Sequence, residues 1–155
     1  GNLTVESFGV SHDAADPIGI NVYSGKDKAT VVTDTGVITD DILHRLDDST
    51  LLVLEANYDP QMLRFGPYQP FLKQRVASDE GHLSNEMAAQ ALLMMKRPDF
   101  MQVILAHRSE NNNNAVLVTQ TIGKMLVDGG VRIGPEMKLQ HGQPNEIVSM
   151  QSIKR

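Results

Sequence analysis

The 155-residue chain contains no cysteine, which excludes disulfides and thiolate zinc sites. It has no tryptophan, three tyrosines and four phenylalanines, so its core must be filled largely by aliphatic and methionine side chains. No apolar run approaches the ~20 residues that a membrane-spanning helix needs. No signal peptide is legible either, and the expectation is a cytoplasmic protein with no membrane partner. An excess of positive charge is also missing: 14 basic against 19 acidic residues leave a formal net charge of −5. That balance argues against a strongly basic nucleic-acid surface carried by this chain alone, although bound metal ions hold phosphate without one. Neither a repeat nor a linker divides the chain, and its length suits a single domain, residues 1–155, with a real core. It opens on Gly1-Asn2 without a methionine, which reads as a processed or truncated start.

What is present is organised around Lys28-Ala-Thr-Val-Val-Thr-Asp34-Thr-Gly36. The β-branched run predicts a buried strand, Gly36 lets the chain turn away sharply, and Asp34 is left at the rim of a sheet. Two other stretches have the same shape, Val5 to His12 and Met101 to His107. Each is an apolar strand followed by a side chain able to bind metal, so strand–His, strand–Asp and strand–His point to one site at one sheet edge.

In chain order the patterns predict strands over 3–10 and 17–23, a hairpin turn at Ser24-Gly25-Lys26-Asp27, and the Asp34 strand. Thr39 caps a short helix over 40–46, and 51–55 is a buried strand. Residues 60–68, rich in Pro and Gly, read as irregular; 69–77 as helical; 78–82 as a loop. Ser84 caps a helix over 85–97 whose Met87, Ala88, Ala91, Leu92 and Met95 keep the helical period, and Pro98 ends it. A strand over 101–106, a polar loop over 108–114 and a helix over 115–127 stopped by Gly129-Gly130 follow. The tail, 129–155, holds one further strand near 146–153. Strands alternating with helices make a layered α/β or α+β domain.

Asp and His are good ligands for zinc, manganese or iron, although a single His at a strand end is as readily a hydrogen-bonded residue of the surface or core. The neighbouring words carry more. Ser11-His12-Asp13-Ala-Ala-Asp16-Pro17-Ile-Gly19, Thr33-Asp34-Thr-Gly36, Leu54-Glu55-Ala-Asn57-Tyr-Asp59-Pro60, Gly81-His82-Leu-Ser84-Asn85 and Leu105-Ala-His107-Arg-Ser109 occur in this order. Together, over residues 3 to 128, they resemble the second half of a metallo-β-lactamase-fold hydrolase. The similarity is greatest to the YycJ/WalJ-like branch, related to tRNA 3′-processing endonucleases and phosphonate-pathway phosphodiesterases.

The resemblance implies a four-layer αββα sandwich of which this chain supplies about the C-terminal half. It implies two divalent metal ions, zinc first among the candidates, with His12 and His107 each a ligand of one ion and Asp34 bridging both. His82, in Gly-His-Leu-Ser, matches the histidine that faces the scissile phosphate as proton donor or charge stabiliser. Glu55, Asn57, Asp59 and Ser84 fall at the same edge, as partners that orient ligands or meet substrate, or as polar turn and cap residues. Asp13 and Asp16 shape the His12 loop, Arg108, Ser109 and Asn111 to Asn114 read as a solvated loop or as contacts to substrate phosphate, and His44 and His141 are surface residues. The implied function is a binuclear hydrolase acting on nucleic acid or a small phosphodiester through metal-activated water.

The chain departs from the family in two places. Related endonucleases carry a histidine where Leu54 stands, and the signature His-x-His-x-Asp-His is absent, since none of His12, His44, His82, His107 and His141 share that spacing. The rival expectation is therefore a non-catalytic half-domain or subunit that needs a partner chain with the missing motif, or that dimerises through its unpartnered face.

Overall fold

The computed structural model describes residues 2–143 and 147–148. Six strands form one sheet in sequence order: β1 (Thr4–Gly9), β2 (Ile18–Ser24), β3 (Asp27–Val32), β4 (Leu51–Glu55), β5 (Met101–Ala106) and β6 (Met137–His141). The first three are antiparallel, joined at β2–β3 by a two-residue turn whose Gly25 takes a φ of 61°. From β3 onward the strands are parallel, and parallel neighbours need crossovers. Those crossovers hold the helices: α1 (Asp40–Leu46) before β4; α2 (Pro60–Phe65), α3 (Pro70–Val76) and α4 (Asn85–Met94) before β5; and α5 (Ala115–Asp128) before β6.

One face of the sheet carries the main core. Phe8, Val32, Leu52, Leu54, Val103 and Leu105 pack with Ile42 and Leu46 of α1, Ala88 and Leu92 of α4, and Val118 and Ile122 of α5. Alternation puts the intervening residues on the other face, where register aligns Ile20, Val31, Val53 and Ile104 in one row. That row is apolar but only partly covered, with Val31 39% exposed.

Several expectations change. Residues 60–65 are helical rather than irregular, because Asp59 Oδ1 accepts from the Gln61 and Met62 amides and Pro60 opens the first turn. Helix α4 stops at Met94, three residues short of the expected end. Met95 is extended, and Arg97 Nη1 donates to the free carbonyls of Leu92 and Leu93. Strand β6 was not anticipated. The strand expected near 146–153 lies largely outside the described residues. No described helix is long and apolar enough to cross a membrane.

Candidate functional site

The direction of the strands brings the candidate residues together. β1 and β3 both run antiparallel to β2, and β3, β4 and β5 are mutually parallel, so all four end at one edge. His12, Asp34, Glu55 and His107 follow from these ends. His82 arrives from the loop before α4, held close because Gly36 packs where a Cβ would strike the Ser78 and Asp79 backbone. Asp34 and His107 both take left-handed backbone, at φ 57° and 51°. Such conformations persist only where the surroundings impose them, and they concentrate at functional sites.

The imidazoles form a row. His82 lies between His12 and His107, with ring centroids 5.1 Å away on each side. Asp34 Oδ1 sits 3.8 Å from His12 Nε2 and 3.6 Å from His107 Nδ1. Beneath them Glu55 is fully buried. Its Oε1 accepts from His82 Nδ1 at 2.8 Å and from His107 Nδ1 at 2.7 Å, and its Oε2 accepts from the Thr35 amide at 3.1 Å. Burial drives the Glu55 carboxyl towards the neutral acid, but the hydrogen bonds from His107, His82 and Thr35 and the charge of His82 outweigh it, leaving the group below its ordinary value. His107 is raised, first by its hydrogen bond to Glu55, against burial, and further by the charges of Glu55 and Asp34.

These contacts fix tautomers. His12 Nδ1 lies 3.0 Å from the Gly81 carbonyl oxygen, which only accepts, so Nδ1 donates and the neutral ring presents Nε2 as a lone pair. The carboxylate of Glu55 imposes the same on His82 and His107. A carbonyl or carboxylate behind the far nitrogen is the usual support of a metal-binding imidazole. Two donor sets lie within 4.8 Å: His12, Asp34 and His82, and Glu55, His82 and His107. Glu55 occupies Nδ1 of both His82 and His107, which leaves Nε2 of His12, His82 and His107 and the Asp34 carboxylate as the free donors. The donors thus fit divalent ions of the zinc, manganese and iron class.

Around this row lies an open cleft of about 360 Å³, lined by Tyr68, Leu72 and Arg75 and by Arg108, Ser109 and Asn111 of the loop after β5. Asp13 ion-pairs with Arg75, whose hydrogen bond is the main reason the Asp13 carboxyl is lowered. Asn57 lines the cleft and donates from Nδ2 to the His107 carbonyl at 2.8 Å. Asp59 and Ser84 instead cap α2 and α4 through Oδ1 and Oγ. His44 is largely exposed, and His141 pairs with Thr119 at 2.8 Å.

The 108–114 loop is not wholly solvated. Asn112 and Asn113 are buried; Asn113 Nδ2 donates to the Ala56 and Asn57 carbonyls and to Asn85 Oδ1. Four consecutive asparagines read as surface by polarity, and the one available signal was their position before a helix, where Asn114 caps α5.

Comparison with known proteins shows the family and the fold. Residues 1–107 match the family model described as a β-lactamase superfamily domain. The chain is 33% identical over 153 residues to proteins named exodeoxyribonuclease YycJ from Bacillus anthracis and exodeoxyribonuclease WalJ from Streptococcus pneumoniae. The match takes in 99% of this chain but only 58% and 57% of theirs, so the chain spans little more than half the length of these relatives. Among solved structures it is similar to the metallo-β-lactamase fold protein YhfI from Bacillus subtilis, with a TM-score of 0.61 and 14% identity over 90% of this chain and 47% of that one. It is also similar to zinc-bound PqqB from Methylobacterium extorquens, with a TM-score of 0.57 and 17% identity over 90% and 44%.

Proposed function

The chain belongs to the β-lactamase superfamily, and from that premise we propose that it carries the phosphate-facing part of a divalent-metal-dependent nuclease. The observation that supports this most is the row of three imidazoles along Asp34 with one buried carboxylate, Glu55, behind two of them. The relatives' names, both exodeoxyribonucleases, support nucleic acid over other substrates of the fold.

In this reading His12, Asp34 and His107 hold two divalent ions, which when bound supply activated water and neutralise charge on the phosphate. His12 is oriented by the Gly81 carbonyl, and His107 by Glu55 and by the Asn57 bond to its own carbonyl. His82 keeps Nδ1 on Glu55 and turns Nε2 to the cleft, where it holds a proton for the leaving oxygen. Residues 1–155 act as one domain, the C-terminal half of an αββα sandwich in a cytoplasmic protein, with the other half bringing the His-x-His-x-Asp-His ligands. Two observations support that division: the share of the relatives that the chain spans, and the partly exposed apolar row Ile20, Val31, Val53 and Ile104.

The test uses the protein in the full form its gene encodes. It should bind about two metal ions per chain and hydrolyse bis(p-nitrophenyl) phosphate and end-labelled DNA, with EDTA abolishing both activities. His82→Ala should keep the metal and lower kcat by about 10²-fold or more. Full metal loading with no diester hydrolysis would refute the reading. It would leave the second one, a non-catalytic half-domain that assembles with a partner, which the exposed apolar row also favours.

A further inference from the structure

Between β4 and α4 the chain makes a detour, α2 and α3, that the sheet does not require. This detour has a small core of its own, Tyr58, Leu63 and Val76 with Tyr68 and Leu72 packed against it. Its apolar needs are therefore met inward. Yet it leaves two phenyl rings in water, Phe65 at 76% and Phe71 at 70% exposed. Its charge is as one-sided as its aromatics. Residues 60–77 contain Arg64, Lys73 and Arg75 and no acidic residue, in a chain whose net charge is −5.

Arg75 is paired with Asp13. Arg64 and Lys73 make no ion pair among the described residues; the Arg64 guanidinium lies 5.3 Å from the Phe65 ring centre, and Lys73 Nζ donates to the Arg64 carbonyl at 2.8 Å. The same detour forms a wall of the cleft, since Tyr68, Leu72 and Arg75 line it and Asn111 Nδ2 donates to the Tyr68 hydroxyl at 3.4 Å.

We propose that α2 and α3 form a binding platform for single-stranded nucleic acid, on which Phe65 and Phe71 stack bases and Arg64 and Lys73 meet phosphates, leading the strand to the cleft. Exposed rings beside cations without an ion-pair partner are the combination that single strands recognise, because every unpaired base offers a stacking face and every linkage an anion. A duplex hides its bases from such rings except at its ends. The platform deepens the nuclease reading and rests on it for the direction of the strand, but its binding is measurable without turnover.

The experiment follows anisotropy of a fluorescein-labelled oligodeoxythymidine 16-mer, in EDTA, on the protein in the full form its gene encodes. Phe65→Ala combined with Phe71→Ala should raise Kd about tenfold or more, whereas Trp at both positions should keep it. Gln in place of both Arg64 and Lys73 should reduce the slope of log Kd against log salt by about 0.7 for each cation removed. Hydrolysis of bis(p-nitrophenyl) phosphate, which is too small to reach the platform, should stay unchanged in all of them.

No oligonucleotide binding by the parent protein, or binding that the alanine pair leaves intact, overturns the platform whatever the nuclease activity. Loss of binding that accompanies dissociation of a protein assembly in size exclusion assigns the rings to a protein partner and also overturns it. Ring-dependent binding in a protein that hydrolyses no diester keeps the platform and removes the nuclease reading instead.

Discussion

A carboxylate withdrawn from water is stable only if donors replace its hydration, and Glu55 has three, two imidazoles and one amide. Glu55→Gln keeps the shape, and its carbonyl oxygen can accept from both imidazoles in place of Oε1, but the negative charge is lost and the NH₂ in place of Oε2 meets the Thr35 amide, donor against donor. Activity or metal affinity should fall about 10- to 100-fold, and NMR titration of the metal-free protein should show the His107 midpoint dropping back towards its ordinary 6.5. The pH dependence has a definite sign. His107 is raised in the fold, so its contribution to stability is complete below 6.5 and disappears as pH climbs through the higher folded value. Glu55 is lowered, so its contribution is present above 4.5 and is lost as pH falls through the folded value. In EDTA, His107→Gln should therefore cost more in Tm at pH 6 than at pH 9. A gap that stays constant across that range would mean the protonated pair contributes nothing. At this scale the sequence was informative about which residues end strands, since Asp34, Glu55 and His107 each follow an apolar run. It was silent about their mutual contacts, because the two imidazole hydrogen bonds to Glu55 span 27 and 52 positions.

Elements follow the same division between local and distant causes. Helices α1 and α4 were legible because Thr39 and Ser84 cap them through bonds only three residues long. Helix α2 was hidden by Pro60, Gly66 and Pro67, although Asp59 before a proline is itself a start signal. Strand β6 escaped because Met137-Lys-Leu-Gln-His141 is short and half polar, and only pairing with β5 makes it a strand. The loop between β5 and α5 is the clearest case of tertiary override. Asn113 ties the end of β4 to α4 by three hydrogen bonds. Replacing it with alanine strands the Ala56 carbonyl and the Asn85 amide, while the Asn57 carbonyl keeps the Ser109 amide, and urea denaturation should show a loss of about 2 kcal/mol. Because Asn57 in turn holds the His107 carbonyl, the same variant should weaken metal binding in a chelator competition, which an ordinary loop substitution would leave alone.

For the whole molecule the decisive feature is that one sheet face carries the core and the other holds an apolar row that is only partly covered. Val31 and Ile18 are 39% and 50% exposed, and Val5 at the edge is 65% exposed. A face of this kind marks an interface or an aggregation hazard, and a sheet in the β-lactamase fold that lacks its facing layer has such a surface. Val31→Glu separates the two situations, because the substitution has opposite consequences in them. In residues 1–155 alone it should raise solubility and shift size exclusion towards the monomer, since a charge now interrupts the apolar row. If the full form of the protein covers the row with a second layer, as proposed, the same glutamate is buried there without a partner and should cost about 3 kcal/mol or more. If both forms tolerate Val31→Glu equally, the face is open to solvent in each, and the division of the sandwich between this chain and another segment is wrong.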